Sequence, residues 1–219
     1  EGDEVITDDR ITSYIHSLAG NDSDICMQIE HEALSEGVPI IRKEMGCFLK
    51  TILAEKHPKN ILEVGAAVGY SSILMSENID ADAKITTIEN YDKRIVKAKE
   101  NIKRAGKESV ITLLEGDAGE ILKTLTGLYD FIFMDAAKAQ YIVILPDVLR
   151  LLVPGGILIT DNVLQEGDLV QSRFAVCRRD RTIHSRMREY LYTVTHCDEL
   201  VTSVIPLGDG ITFSVKKQK

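Results

Sequence analysis

Residues 62–71 read LEVGAAVGYS, and this stretch decides the fold. Its first residues end an apolar run at 60–64 that has the length and composition of a buried strand. Gly65 and Gly69 let the backbone turn sharply and approach a ligand closely, before a helix that we predict to begin at about Ser71. The spacing of the two glycines matches neither the dinucleotide fingerprint nor the phosphate loop, so it favours neither of those ligands.

The same unit, a short apolar run followed by a helical pattern, recurs along the rest of the chain. Between the second and third runs, for example, Ile95, Ala98 and Ile102 lie on one face of a helix. Repeated strand–helix–strand units need right-handed crossovers and therefore predict a doubly wound, parallel sheet. The strands predicted for this sheet are 60–64, 84–89, 110–114, 129–135 and 156–160.

The C-terminal end differs, because two further strands follow each other directly. Segments 200–206 and 211–216 flank the turn Leu-Gly-Asp-Gly at 207–210, which predicts an antiparallel hairpin at the edge of the sheet. The expected fold class is therefore α/β, with a doubly wound, mostly parallel sheet of seven strands.

The N-terminal segment is predicted to be helical. Residues 8–18 have the apolar spacing of an amphipathic helix, and a further helix is predicted to carry Pro39 in its first turn and to stop at His57. We therefore predict one domain, 1–219, made of a helical cap at 1–58 and a core at 59–219.

The composition is that of an ordinary globular protein. Its 44% hydrophobic and 27% charged residues exclude the disordered, collagen-like, coiled-coil and disulfide-scaffold classes. No apolar run approaches the roughly 20 residues of a spanning helix, and the acidic start EGDEVITDDR is unlike a signal peptide, so we predict no membrane partner. The four cysteines are scattered with no CxxC pair and are expected to be reduced thiols, so we predict a cytoplasmic protein. A net charge of −8 argues against broad binding of polyanions and leads us to expect no DNA partner, although it allows a local basic patch.

Acidic residues stand at the ends of the first three predicted strands, where ligands of doubly wound sheets bind. Glu63 places a carboxylate beside the glycine loop, which suits a cationic ligand better than a pyrophosphate. Glu89 is placed to accept both hydroxyls of a ribose, and Asp117 to accept from an adenine amino group. Either acid alone is more often a helix cap, but together with the glycine loop they indicate a nucleoside.

The next two strands end in oxygen donors that suit a metal. Asp135, Asp161 and Asn162 offer two carboxylates and an amide, the hard ligands that Mg²⁺ prefers, although Asp161-Asn162 is also a common turn sequence. Lys138 lies one helical turn beyond Asp135, so it can lean over the same site. A bound dication would disfavour its charged form and make it a better proton acceptor; the alternative is a solvated lysine.

With these residues in place, the chain resembles the metal- and S-adenosylmethionine-dependent O-methyltransferases of the catechol and caffeoyl-CoA type, from about Ile11 to its C-terminus. The motifs that carry the resemblance are LEVGAAVGYS, the D-x-x-K of 135–138 and the pair at 161–162. The resemblance implies a Rossmann-like methyltransferase fold, a homodimer, Mg²⁺ on Asp135, Asp161 and Asn162, and catalysis by Asp135 with Lys138 as general base. The cofactor contacts that it implies are Val38, Glu63, Gly65, Ala67, Ser71, Glu89, Asp117, Ala118 and Asp135.

Within that family, three segments look most like the bacterial tRNA 5-hydroxyuridine methyltransferases, which convert the wobble uridine to 5-methoxyuridine. These segments are DNVLxxG at 161–167, RRDRTIHSRMREYL at 178–191 and PLGDGI at 206–211. Ala136 and Ala137 replace the His and Trp of the catechol enzymes. Small residues there widen the mouth of the site and weaken the case for a small planar catechol.

Residues 173–188 hold six arginines and one acid, Asp180. Because arginine contacts to phosphate supply much of the affinity for RNA, we predict that this segment contacts the tRNA anticodon. The alternative is a solvated helix face, since the segment also carries an apolar stripe. The predicted RNA contacts are Arg173, Arg178, Arg179 and Arg181.

The function predicted from the sequence is methylation of wobble 5-hydroxyuridine in tRNA, with S-adenosylmethionine and Mg²⁺. A small-molecule catechol or phenol methyltransferase with the same site is the first alternative. A nucleoside-binding module without catalysis is the second. A Rossmann oxidoreductase is less favoured, because the glycine spacing is wrong for a dinucleotide.

Overall fold

A computed structural model describes residues 8–218, so the acidic stretch at 1–7 lies outside the described residues. Within them the sheet has seven strands in the order β3-β2-β1-β4-β5-β7-β6. The strands are β1 (Asn60–Val64), β2 (Lys84–Glu89), β3 (Ile111–Glu115), β4 (Tyr129–Met134), β5 (Leu152–Thr160), β6 (Leu200–Ile205) and β7 (Ile211–Lys216). The α-helices are α1 (Asp9–Leu18), α2 (Asp24–Ser35), α3 (Lys43–Lys56), α4 (Tyr70–Ser76), α5 (Asp92–Arg104), α6 (Ala118–Thr124), α7 (Tyr141–Leu151) and α8 (Arg181–Thr195).

The sheet is doubly wound, as predicted. Strands β1 to β5 are parallel, and the strand order reverses beside β1, which pairs with β2 on one side and β4 on the other. β7 pairs antiparallel with both β5 and β6, which confirms the C-terminal hairpin. The carboxyl ends of the parallel strands therefore meet at one edge, with the switch point between β1 and β4.

The core lies on both faces of this sheet, which is why its strands read as continuous apolar runs. In β4, Phe131 and Phe133 pack on the face covered by α2, α3 and α4, while Ile132 and Met134 pack towards α6, α7 and α8. All four side chains are completely buried. Among residues 8–218, no helix has the length and apolar character needed to cross a bilayer.

The prediction that Pro39 opens a helix was wrong. α3 begins at Lys43, and Arg42 before it is extended, with φ −69° and ψ 156°. The β-branched Ile40 and Ile41 favour this extended path, because Ile41 then reaches the core and the segment forms a wall of the cavity described below.

Several strand boundaries also differ from the prediction, and β4 and β6 each end one residue earlier than expected. The third strand lies one residue later than predicted, and β5 begins at Leu152 instead of Gly156. Pro154 and Gly155, which would ordinarily end a strand, are accommodated where the pairing of β4 with β5 changes register between Tyr129 and Phe131. The predicted first helix is present, but its apolar side chains stay exposed: Ile11, Tyr14, Ile15 and Leu18.

Candidate active site

A cavity of about 500 Å³ opens at the carboxyl edge of the sheet, beyond β1, β2, β4 and β5. Its position agrees with the rule for doubly wound sheets, in which ligands bind at the switch point. Residues 39–42, which precede α3, close one side of it. The predicted site residues that line this cavity are Gly65, Ala67, Glu89, Ala118, Asp135, Asp161 and Asn162.

The glycine loop joins β1 to α4 and packs directly on the end of β4. Gly65 has φ +105°, and a Cβ added there would lie 2.0 Å from the carbonyl oxygen of Asp135. The Asn101 side chain donates to the Val68 carbonyl at 2.9 Å and anchors the far side of the loop. Gly65 therefore approaches the backbone of Asp135 closely, whereas the sequence predicted a close approach to a ligand. This contact fixes the position of the Asp135 backbone.

Glu89 is held in one orientation by backbone donors. The N–H of Ala67 donates to one carboxylate oxygen at 2.8 Å, and the N–H groups of Asn90 and Tyr91 donate to the other at 2.9 Å each. A carboxylate has about four acceptor sites, so roughly one stays open to a ligand in the cavity. The backbone thus fixes the orientation of Glu89, the acid predicted to hold a ribose. The acceptor site that stays open is enough for one ribose hydroxyl, whereas the sequence predicted that Glu89 accepts from both.

Glu63 lies behind the loop, although the sequence suggested that it faces a ligand. It is completely buried and accepts hydrogen bonds from the hydroxyls of Ser71, at 2.5 Å, and of Ser72 and Thr87. Burial raises the pKa of Glu63, while the three hydroxyl donors oppose that rise. Neither Glu63 nor Ser71 lines the cavity, and together they brace the first turn of α4 against β1 and β2.

The other two predicted cofactor contacts lie at the margin of the cavity. Asp117 caps α6, with one oxygen accepting from the Glu120 N–H at 3.2 Å and the other from the Gln140 side chain at 3.3 Å. Gln140 itself lines the cavity and was not predicted. Val38 lies in an adjoining groove, which shares Pro39 and Arg94 with the cavity.

Two acids at the ends of β4 and β5 give the cavity its unusual electrostatics. Burial raises the pKa of Asp135 to about 6 and that of Asp161 to about 7, and the charge of Asp135 adds to the rise at Asp161. Lys138 and Arg94 oppose the rise at Asp135. The N–H of Asn162 donates to Asp161 at 2.7 Å and fixes its carboxylate. Asp161 is buried and Asp135 is half-buried, and two such neighbouring carboxylates are a place where a cation would bind.

This donor set fits Mg²⁺ by its chemistry. Among residues 8–218 there is no cluster of three or more His, Cys, Asp or Glu side chains that could hold a metal. The set predicted from sequence has two carboxylates and takes its third donor from the Asn162 amide, and all three residues line the cavity. Mg²⁺ commonly binds through one or two carboxylates and leaves its other positions to water or substrate oxygens.

Lys138 begins a short 3₁₀ helix, Lys138–Gln140, directly after the β4 loop. Its Nζ donates to Asp209 at 3.1 Å, and its side chain is one-third exposed. From the sequence, Asp209 was placed in the predicted turn and in the segment PLGDGI, with no role assigned to it. Antiparallel pairing of β7 with β5 places that turn beside Asp161.

Two arginines of the cavity were also missed. Arg42, just before α3, and Arg94, in the first turn of α5, both line the cavity. Arg42 lowers the pKa of Asp161 and Arg94 lowers that of Asp135, although the effect of burial is larger in both cases. Their position near strand and helix ends is the only signal that the sequence offers.

The arginine-rich segment divides into two parts. In α8, the predicted apolar stripe is buried at Met187, Tyr190 and Val194. Ahead of that helix, the side chains of Arg173, Arg178 and Arg179 are exposed, and Arg181 at its first residue is partly exposed.

Phe174 stands out within this exposed segment. Its ring is 73% exposed. The guanidinium carbons of Arg173 and Arg181 each lie 5.6 Å from the ring centre. Cation–π contacts thus assemble aromatic and guanidinium groups at the surface.

The chain is similar to known methyltransferases along nearly all of its length. A family model described as O-methyltransferase matches residues 20–217. A catechol O-methyltransferase of Niastella koreensis is 32% identical over 166 residues, which cover 73% of this chain and 75% of that protein. A caffeoyl-CoA O-methyltransferase of Stellaria longipes is 31% identical over 188 residues, covering 80% and 73%. An SAH-bound methyltransferase structure from Podospora anserina superposes with a TM-score of 0.85 at 25% identity, covering 96% of this chain and 95% of that one.

Proposed function

Because this chain belongs to the O-methyltransferase family, we propose that it transfers the methyl group of S-adenosylmethionine to a hydroxyl oxygen held in the cavity at the sheet edge. The observation that carries the proposal is the convergence of Glu89, Asp135, Asp161 and Asn162 on one cavity of about 500 Å³. A nucleoside-binding module without catalysis would have no use for the paired acids at the ends of β4 and β5.

The nucleoside of the cofactor would lie across the glycine loop, between Gly65 and Ala118. Glu89, fixed by three backbone N–H groups, would accept from a ribose hydroxyl. Gln140, held by Asp117, would face the base. The roles of Glu63 and Ser71 would then be indirect, through the position of the loop.

Asp135, Asp161 and Asn162 would hold Mg²⁺. When bound, the ion supplies electrostatic stabilisation of an oxyanion. Lys138 would accept the proton of the substrate hydroxyl at Nζ, and the oxygen would take the methyl group from the sulfonium while sulfur keeps the electron pair of the broken bond. The walls at 39–42 and at Gly65 would hold the two reactants in line, which alone can supply several kcal/mol of rate acceleration.

For the substrate we propose wobble 5-hydroxyuridine in tRNA, with the exposed arginines at 173, 178 and 179 on backbone phosphates. Two features support it. Phe174 between Arg173 and Arg181 presents flat aromatic and guanidinium groups, on which unpaired bases stack. Ala136 and Ala137 line the cavity with small side chains, which would leave more room for a nucleotide than the His and Trp of the catechol enzymes.

A small catechol or phenol is the second candidate substrate, because similar proteins carry catechol and caffeoyl-CoA O-methyltransferase activities in their names. The two candidates separate in one experiment. The purified protein is incubated with S-adenosylmethionine and Mg²⁺, with either 5-hydroxyuridine tRNA or catechol as acceptor. Mass spectrometry then looks for 5-methoxyuridine or methylated catechol. The tRNA proposal expects the nucleoside product, and turnover of catechol alone would refute it.

We also propose a homodimer. The exposed apolar side chains Ile11, Tyr14 and Leu18 of α1 would be covered by the second copy. Light scattering of the purified protein tests this, and a monomer at micromolar concentration would contradict it.

A further inference from the structure

Asp209 is a buried acid of the turn at 207–210, to which no role was assigned from the sequence. It lies between β6 and β7 and is 4% exposed. β7 pairs with the end of β5, with Thr212 opposite Thr160, so the turn reaches the residues that follow β5. Carboxylates are almost never buried this deeply unless they are paired.

Both oxygens of Asp209 have partners on the catalytic edge. Oδ2 accepts from Nζ of Lys138 at 3.1 Å, and Oδ1 accepts a short hydrogen bond from the backbone N–H of Glu166. Glu166 has φ +54°, a left-handed conformation that a non-glycine residue keeps only when its surroundings hold it. One carboxylate therefore joins the proposed base to the segment that follows Asn162.

The backbone of the same turn reinforces this junction. The Asp209 carbonyl accepts from Leu164 N–H, and the Gly210 carbonyl accepts from Val163 N–H, each at 2.9 Å. A Cβ on Gly210 would lie 2.3 Å from Cγ of Leu164, so the turn packs directly on residues 163–166. Backbone and side-chain contacts thus both fix the position of Asp209, so its carboxylate holds Lys138 Nζ in a defined place.

We propose that Asp209 is a positioning residue for the transfer reaction, holding the Lys138 amine where it meets the substrate hydroxyl. The inference rests on the proposed role of Lys138 as base. Lysine has a flexible four-carbon stem, and an active base is typically oriented by a third group. When the hydroxyl proton passes to Nζ, the Asp209 carboxylate also stabilises the ammonium that forms. The role is the same whether the acceptor is tRNA or a small phenol.

A double-mutant cycle tests the proposal with wild type, Asp209→Asn, Lys138→Ala and the double variant. The acceptor is 5-hydroxyuridine tRNA or catechol, whichever the wild type methylates. Asp209→Asn should lower kcat by about 10- to 100-fold, because it removes part of the rate acceleration that a general base supplies. KM for the acceptor and affinity for S-adenosylhomocysteine (SAH) should stay within about twofold of wild type. In the Lys138→Ala background the same change should lower kcat by less than about twofold, because residues acting through one another are not additive.

The controls separate this inference from the proposed function. Asp22→Asn breaks a comparable lysine–aspartate pair, Lys50 with Asp22 at 2.6 Å, and should leave kcat unchanged. If Asp209→Asn fails to fold, Asp209→Ser replaces it in the cycle, because serine keeps an acceptor for the Glu166 N–H. The positioning role alone is overturned if Asp209→Asn lowers kcat equally in the wild-type and Lys138→Ala backgrounds. It is also overturned if Asp209→Asn keeps the wild-type kcat while Lys138→Ala is inactive. Wild-type kcat in Lys138→Ala overturns the base assignment.

Discussion

Replacing Gly65 with alanine should destabilise the protein more than any change of glycine to alanine in open space. Gly65 combines φ +105° with a Cβ position only 2.0 Å from the Asp135 carbonyl oxygen and 2.7 Å from its carbon. A left-handed conformation costs an alanine about 1–2 kcal/mol. Because the contact is with backbone, no side chain can move aside, and overpacking of this kind adds about 1–3 kcal/mol. The expected loss of unfolding free energy is about 2–5 kcal/mol.

Gly106→Ala is the matched control for this substitution. Gly106 also has a positive φ, +65°, but no atom of the described residues lies within 4 Å of its Cβ position. Only the conformational cost of about 1–2 kcal/mol should remain there. Urea denaturation of both variants and wild type gives the two differences directly.

The collision at Gly65 should also disturb the site. If the β4 end moves to relieve it, Asp135 moves too, so calorimetry should show SAH binding at least about tenfold weaker in Gly65→Ala, equivalent to about 1.4 kcal/mol. Gly106→Ala should bind SAH normally. A Gly65→Ala protein as stable as Gly106→Ala would show that the loop does not pack on Asp135 as described.

Four other results are expected. Asp161→Ala should abolish turnover and leave SAH affinity within about threefold, because its proposed partner is the metal; near-normal turnover in EDTA would remove the metal from the reaction. In metal-free protein, the melting temperature should fall as pH rises from about 5 to about 7. The pKa of Asp135 is raised to about 6 and that of Asp161 to about 7, so the folded state binds more protons than the unfolded state in this range. A flat profile would contradict the raised pKa values of the two acids, and Asp161→Asn should flatten the profile. Glu89→Ala should weaken SAH binding by about 1.5–3 kcal/mol in calorimetry, and unchanged affinity would refute its role. Replacing arginines 173, 178 and 179 with glutamine should reduce the salt slope of tRNA methylation by about 0.7–0.9 per lost phosphate contact and leave catechol methylation unchanged. A salt series like that of wild type would show that these arginines are only solvated surface residues.

The strands and the edge that carries the site could be read from the sequence. Runs such as 60–64 and 84–89 are apolar throughout because both faces of the sheet are covered, and that pattern depends on local residues only. Once five such runs alternate with helices, the parallel order and the common carboxyl edge follow from the handedness of the crossovers. The convergence of Gly65, Asp135 and Asp161 was therefore predictable before any coordinate was known.

Which way each strand-end acid faces was decided only by the tertiary structure. Glu63 is the residue before the end of β1 and Glu89 is the last residue of β2, and both are acids near the carboxyl ends of neighbouring strands. Glu63 is turned inward onto Ser71, Ser72 and Thr87, while Glu89 is held at the cavity by backbone N–H groups. The difference depends on hydroxyls and amides from other elements, which local sequence patterns do not specify.

The partner of Lys138 was decided at still longer range. Lys138 and Asp209 are 71 residues apart, and they meet because β7 inserts between β5 and β6 and brings its turn to the end of β5. The register Thr160 opposite Thr212 sets that meeting point, and it follows from the packing of the whole sheet edge. Patterns of neighbouring residues determine which elements form, whereas contacts between distant elements determine which side chains share a site, because burial and hydrogen bonding are satisfied only in the assembled fold.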